Sequence, residues 1–78
     1  ADLSNADLRK ADLSYAILIR VNLQNANFTE ANLSRAKMTR ADLTNASLQR
    51  AMLSKISFRS ANLSGANLSG STLIEADF

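Results

Sequence analysis

The sequence repeats every five residues from its first residue to its last. The third residue of each unit is Leu, Phe or Met in all sixteen units, and the first is Ala in thirteen, the exceptions being Val21, Ile56 and Ser71. No unit shifts out of phase. A repeat that fills the chain restricts the fold to architectures in which each unit is stabilised by stacking on its neighbours.

This spacing is incompatible with an amphipathic α-helix. A helix turns by about 100° per residue, so leucines five residues apart point about 140° away from each other and form no apolar stripe. Within a unit, apolar first and third residues flank a mostly polar second residue, which is the alternation of a short β-strand. Because five is odd, the chain must turn at the fourth and fifth residues to keep every third residue inside. The repeat therefore predicts three-residue strands, separated by turns and stacked in coils.

The fifth residues indicate how many units form one coil. With four units per coil, one corner column consists of residues that all tolerate a left-handed turn. That column reads Asn5, Asn25, Asn45 and Gly65. Four units also place Lys55 over Glu75 and favour opposite-charge contacts, whereas three units give like-charge contacts alone. Five units per coil give a similar balance of opposite-charge and like-charge contacts to four units, but they break up the Asn column. We therefore predict four units per coil and about four coils.

Composition removes several classes of site. The 78 residues include no Cys and no His, which excludes disulfide bonds, thiol chemistry and the usual zinc sites. Pro is absent and Gly occurs only twice, so we predict a single domain over residues 1–78. No apolar run approaches the roughly 20 residues of a membrane-spanning helix. The sequence begins without Met and already in phase, so we expect it to be part of a longer parent chain.

Units of the form Ala-(Asp or Asn)-Leu-X-X resemble the pentapeptide-repeat family, and ten units carry Asp or Asn at the second position. The other second residues are Ile17, Lys37, Ser47, Met52, Ser57 and Thr72. The resemblance covers the whole chain and implies an all-β fold, the right-handed quadrilateral parallel β-helix. It implies no enzymatic activity, since most members have none assigned. Such proteins abound in cyanobacteria, often in the periplasm or thylakoid lumen, so those compartments stand beside the cytoplasm as implied locations.

The leading functional hypothesis is a structural or protein–protein interaction scaffold. One branch of the family protects DNA gyrase by presenting an acidic, DNA-shaped rod. This chain resembles that branch poorly, because it is short and its formal charge is +2. Modulation of gyrase or topoisomerase by DNA mimicry, or direct binding to a nucleic-acid backbone, is therefore the alternative hypothesis.

The aspartates are candidates for catalytic or metal-binding groups, because carboxylates can serve both roles. All five occupy the second position: Asp2, Asp7, Asp12, Asp42 and Asp77. In a twenty-residue coil they alternate with Asn, which predicts a shared hydrogen-bonding role rather than paired carboxylates. Their oxygens would not converge on a cation, and no Ser or Thr has an activating base. We predict no catalytic residue, no metal site and no cofactor.

One wall of the predicted coil stands out as a candidate docking surface. Its outward residues are Ile17, Ile19, Arg20, Lys37, Arg40 and Arg59, with Leu18, Met38, Phe58 and Phe78 behind them. Counting Asp77, this wall carries a net charge of +3, whereas the others carry −2, +1 and 0. Exposed isoleucines beside basic groups indicate docking to an acidic protein or an anionic membrane. The alternatives are a covering terminal segment, or β-branched residues that a strand merely tolerates.

Among partners, we favour an unidentified protein with an acidic surface. A membrane surface is not expected, and nucleic acid is not expected because Tyr15 alone makes no aromatic platform beside the basic groups. The unpaired backbone at the two ends of a stack also allows end-to-end self-association.

Overall fold

In the computed structural model, which describes all 78 residues, the chain is a solenoid with a register of twenty residues. Twelve isolated parallel β-bridges each join a second-position residue to the residue twenty positions later, from Asp2–Asn22 to Ser57–Asp77. There is no helix, and the predicted three-residue strands are reduced to one bridged residue each, because the chain turns immediately on either side. The body measures 26 × 21 × 21 Å. It contains no helix long and apolar enough to cross a bilayer.

Successive units form four walls, named here by their residues. The first wall comprises 1–5, 21–25, 41–45 and 61–65, and the second 6–10, 26–30, 46–50 and 66–70. The third wall comprises 11–15, 31–35, 51–55 and 71–75, and the fourth 16–20, 36–40, 56–60 and 76–78. Each bridge joins two units of the same wall, so side chains twenty residues apart lie above one another in columns.

Every corner between walls is built in the same way. The fifth residue has a positive φ at thirteen non-glycine positions, between 53° and 63°, and at Gly65 and Gly70. The carbonyl of the preceding third residue accepts a hydrogen bond from the next first residue, as in Ala6 N–H to Leu3 O at 3.1 Å. A positive φ at the second central residue alone identifies a type II β-turn. The corner column of Asn residues and Gly65 therefore suits its backbone.

The coils are joined by a regular backbone ladder. The N–H of Leu3 donates to Asn22 O at 2.8 Å, that of Asn5 donates to Gln24 O at 2.8 Å, and that of Asn22 donates to Ala1 O at 3.1 Å. With the turn bond, this pattern engages the first, second, third and fifth N–H groups of a unit. The fourth-position N–H is the one donor that the backbone ladder leaves out.

The interior is a column of third-position side chains walled by small first-position residues. Sixteen residues between Val21 and Phe58 are buried, and all of them are apolar. Burying one Leu, Phe or Met side chain stabilises a fold by about 1.5–3 kcal/mol, so this column is the main source of stability. Towards the two ends of the stack, equivalent side chains become accessible, with Leu3 39% and Phe78 62% exposed.

Candidate docking wall

The bridges bring the predicted residues of the fourth wall onto one outward surface. Ile17 is bridged to Lys37, Lys37 to Ser57, and Ser57 to Asp77, which forms a column down the middle of the wall. Ile17 and Ile19 are 70% and 44% exposed. The corner residues Arg20 and Arg40 are also exposed, with φ of 62° and 61°. The structure thus places all six predicted residues together on the outside.

The basic groups of this wall are not equivalent. The Nε atom of Arg59 donates to Oδ2 of Asp77 at 2.7 Å, an ion pair across adjacent coils. Arg20, Lys37 and Arg40 have no acidic partner within 4.0 Å. Three cations are therefore free to meet a ligand, and the charge of Arg59 is already matched inside the wall.

Tyr15 and Arg35, which lie outside the six predicted residues, border the wall at its corner with the third wall. Arg35 lies over Tyr15, with its guanidinium carbon 5.8 Å from the centre of the ring, within the range of a cation–π contact. The next residue of this corner, Lys55, pairs with Glu75 at 3.6 Å. The twenty-residue spacing of Tyr15 and Arg35 could have revealed this contact, which adds a fourth cation and an exposed ring to the edge of the wall.

The walls also differ in how they treat the fourth-position N–H. At nine units the side-chain oxygen of a second-position Asp or Asn accepts it, for example Asn22 Oδ1 from Gln24 at 3.1 Å and Asp42 Oδ1 from Thr44 at 3.1 Å. All nine lie on the first three walls. Such a bond closes an Asx turn and explains why Asp and Asn interchange in the columns.

On the fourth wall these bonds are missing. The N–H groups of Ile19, Thr39 and Arg59 have no acceptor anywhere in the chain. We call these three groups the amide column. The third wall has two such groups, at Ser54 and Ile74, and the second wall has one, at Gln49, so only the fourth wall has three in successive coils.

Large side chains support the fourth wall from inside. Met38 and Phe58 are buried, and the ring of Phe58 lies 5.5 Å from that of Phe78. Ile56 replaces the usual Ala and is also fully buried. Packed apolar residues leave the outward groups on a rigid base, which reduces the entropy lost when a ligand binds.

The aspartates hold local hydrogen bonds instead of forming a reactive cluster. The Arg9 guanidinium, followed by the Arg9 backbone N–H, lowers the pKa of Asp7 to about 2. The Ser14 hydroxyl lowers the pKa of Asp12, and the Thr44 hydroxyl lowers that of Asp42. No three acidic groups gather as a metal site, and Asp7, Arg9 and Lys10 line a surface depression. These carboxylates are ionised acceptors that are already occupied, not poised proton donors.

Comparison with known proteins agrees with this geometry. The family profile described as pentapeptide repeats matches residues 1–40 and 41–78, in eight copies. The chain belongs to the pentapeptide-repeat family. The resemblance seen in the sequence is thereby confirmed, and the fold is the family's right-handed β-helix. No curated protein is a significant match.

Several solved pentapeptide-repeat structures are similar to the chain. One is HetL from the cyanobacterium Nostoc sp. strain PCC 7120, a protein involved in regulating heterocyst differentiation, with 38% identity and a TM-score of 0.92 over 97% of this chain and 35% of that one. Another comes from the Arabidopsis thaliana thylakoid lumen, with 36% identity and a TM-score of 0.95 over 96% of this chain and 52% of that one. Rfr23 of Cyanothece 51142 is 30% identical, with a TM-score of 0.60 over 99% of this chain and 53% of that one. The chain therefore spans between about a third and a half of these relatives.

Proposed function

We propose that this pentapeptide-repeat solenoid, which makes about four coils, is a non-catalytic interaction scaffold, and that its fourth wall docks a protein with an acidic surface. The observation that carries the proposal is the concentration of free cations there. The fourth wall has three cations without an acidic partner, Arg20, Lys37 and Arg40, whereas the second and third walls have one each and the first has none. The exposed Ile17 and Ile19 add apolar area beside these charges. Apolar area gives affinity, and surrounding charge gives orientation and a faster encounter.

The assignment as a scaffold also fits the occupied aspartates, whose oxygens accept bonds from the N–H and hydroxyl groups of their own turns. Among the similar proteins, HetL is involved in the regulation of heterocyst differentiation. A regulatory or scaffolding role needs a shaped and charged surface, which this wall supplies.

The proposal is tested by charge reversal at corners of the solenoid. We would compare crosslinking and co-purification of the wild-type protein with the Arg40→Glu and Arg20→Glu variants, using Lys10→Glu as the matched control. Lys10 is a corner cation without an acidic partner on the second wall, and Glu30 and Glu75 already occupy corners with φ of 62° and 58°, so the substitution suits the backbone. A specific partner protein is expected to be lost with both fourth-wall variants and kept with Lys10→Glu. Retention of every partner by the fourth-wall variants would contradict the proposal.

A further inference from the structure

The amide column differs from every other set of fourth-position N–H groups because no second-position side chain in its wall accepts from it. Elsewhere the acceptor is the oxygen of an outward-facing residue, such as Asn32 Oδ1, which accepts from Ser34 N–H at 3.0 Å. A fourth-position N–H therefore points towards the outer surface of its wall. In the fourth wall, where Ile17 and Lys37 provide no such oxygen, the N–H groups of the amide column point to the outside without an acceptor.

The three groups of the amide column are spaced by the stacking of the coils. Neighbouring coils of a β-solenoid lie about 4.8 Å apart, so the column extends over about 10 Å. Arg20 and Arg40 lie at the corner beside it, and Lys37 lies in the adjacent column. Backbone N–H groups together with nearby cations form a site for anionic oxygen atoms, because charge-assisted hydrogen bonds are about twice as strong as neutral ones.

We propose that the amide column binds a row of carboxylates, and that the partner presents them on an acidic α-helix lying along the solenoid axis. This inference rests on the proposed function and specifies the chemistry of the partner. The carboxylates of the partner take the place that Asp and Asn oxygens occupy on the other three walls. Free N–H groups distinguish this site from a merely basic patch, because they require acceptors at fixed positions.

The spacing favours a helix over an extended segment. Acidic residues at positions i, i+4 and i+7 of a helix lie on one face and span about 10.5 Å, close to the ~9.6 Å of two coil steps. Residues i, i+2 and i+4 of a strand span about 13 Å. The span of the helical carboxylates differs from that of the amide column by about 1 Å, which flexible Asp or Glu side chains can accommodate. The span of the strand residues differs from it by ~4 Å, which is too much for such side chains to accommodate.

Exposed Ile17 and Ile19 lie in the same coil as the first group of the amide column, so the helix is expected to carry an apolar side chain next to its first carboxylate. A lipid surface is a poorer fit. Lys37 is bridged to Ile17, so inserting the isoleucines into a bilayer would bring Lys37 and the neighbouring Thr39 into the apolar layer as well, which is costly.

The first experiment uses a synthetic peptide and the intact chain. The probe is an 18-residue Ala-based helical peptide with Glu at i, i+4 and i+7 and one Leu beside the first Glu. Controls are the same peptide with Gln in place of Glu, an extended peptide of alternating Thr and Glu, and vesicles of phosphatidylserine. In a titration followed by NMR, the helical acidic peptide is expected to shift the amide protons of Ile19, Thr39 and Arg59 downfield and to bind at least about tenfold more tightly than either control peptide. Equal binding of the extended peptide, or stronger binding to the vesicles, would overturn the inference.

The second experiment gives one N–H group of the amide column an acceptor within the chain, without changing the charge of the wall. Ser57→Asn supplies the missing oxygen to the Arg59 N–H, as Asn does on other walls, and Ser47→Asn does the same for Gln49 on the second wall. Both residues are half-buried serines at the second position of the third coil. Ser57→Asn is expected to weaken binding of the acidic helix about tenfold, since a hydrogen bond to a charged group is lost, while Ser47→Asn leaves it unchanged. Ile17→Asn supplies an oxygen to the Ile19 N–H but also removes an exposed apolar side chain. Its control is Ile17→Ala, which only removes that side chain and is expected to weaken binding less.

The two proposals fail in different ways. If Ser57→Asn and Ile17→Asn remain as stable as the wild type and bind the peptide with unchanged affinity, the amide column is not the receptor, even where Arg40→Glu still abolishes binding of a partner. If Arg40→Glu and Arg20→Glu also leave partner binding unchanged, the fourth wall itself is not a docking surface.

Discussion

The Oδ1 atom of Asn32 accepts a hydrogen bond from the backbone N–H of Ser34 at 3.0 Å, and the residue twenty positions later, Met52, leaves the equivalent N–H of Ser54 without an acceptor. The two positions lie in one column and form a natural pair for testing the Asx turn. We expect Asn32→Ala to lower the free energy of unfolding by about 1 kcal/mol, the usual worth of such a bond. Met52→Asn should raise it, because it adds the bond and removes an exposed apolar side chain.

Urea unfolding followed by circular dichroism measures both changes. Asn32→Asp is the control, since Asp is a natural acceptor at this position and should leave the stability close to that of the wild type. A loss for Asn32→Asp as large as that for Asn32→Ala would contradict the role assigned to the side-chain oxygen.

The two glycines occupy the same kind of corner but have different neighbours. A Cβ atom at Gly65 would collide with Oδ1 of Asn45, whereas at Gly70 it would lie 3.1 Å from Cγ of the flexible Arg50 side chain. Both Ala variants are expected to lower the free energy of unfolding by about 1 kcal/mol, because a left-handed backbone is strained for a residue that has a Cβ atom. Gly65→Ala should lower the free energy of unfolding by about 1 kcal/mol more than Gly70→Ala, because the Asn45 side chain must leave its preferred rotamer. In an Asn45→Ala background, Gly65→Ala should cost only the loss common to both glycines. Thermal unfolding of the wild type, the three single variants and the double variant tests this, with equal losses for the two single glycine variants as the contrary result.

Much of the fold could be predicted because the repeat uses each position for one physical purpose. The third residue fills the interior, and Asn5, Asn25 and Asn45 share a corner whose φ is 60° to 63°. Their twenty-residue spacing is the register of the bridges. The three-residue strands are not confirmed, because the turns at the fourth and fifth residues on both sides leave only the second residue of each unit bridged.

The docking wall was less predictable. Its residues could be grouped from the register, but the pairing of Arg59 with Asp77 depends on side-chain conformation across two coils. The amide column could not be predicted, because it depends on knowing that the backbone ladder omits the fourth N–H. Once that omission is known, a second-position residue other than Asp or Asn becomes a sequence signal for a free donor.

Stability should fall only in strongly acidic solution. Hydrogen bonds lower the pKa of Asp2, Asp7, Asp12 and Asp42 in the folded state, that of Asp7 to about 2. A carboxyl whose folded pKa is depressed contributes stability above its unfolded pKa of about 3.9, and this contribution is lost as the pH falls through the folded value. The urea midpoint is therefore expected to be constant between about pH 5 and pH 7 and to decrease from about pH 4 to pH 2. Asp7→Asn should flatten this decrease, and an unchanged pH profile would contradict the assignment.

Core substitutions should depend on the position along the stack. Leu43 is completely buried in the third coil, whereas Leu3 occupies the same column but is 39% exposed. Leu43→Ala should lower the free energy of unfolding by about 2–5 kcal/mol, including the cavity left behind, and Leu3→Ala by much less. The unfolding midpoints in urea compare the two, and similar losses would mean that the interior does not provide most of the stability.

The free donors of the amide column should be visible in hydrogen exchange. Thr39 and Thr44 are both threonines at the fourth position of adjacent walls, but the N–H of Thr44 donates to Asp42 Oδ1 at 3.1 Å and that of Thr39 has no acceptor. Because an amide exchanges only when its hydrogen bond opens, Thr39 should exchange at close to the rate of an unstructured peptide, and Thr44 at least about tenfold more slowly. Ser54 on the third wall serves as the control, since its free N–H should exchange as fast as that of Thr39. Equal protection of Thr39 and Thr44 in an NMR exchange measurement would show that the N–H of Thr39 has an acceptor within the chain, and that it is not a free donor for a partner.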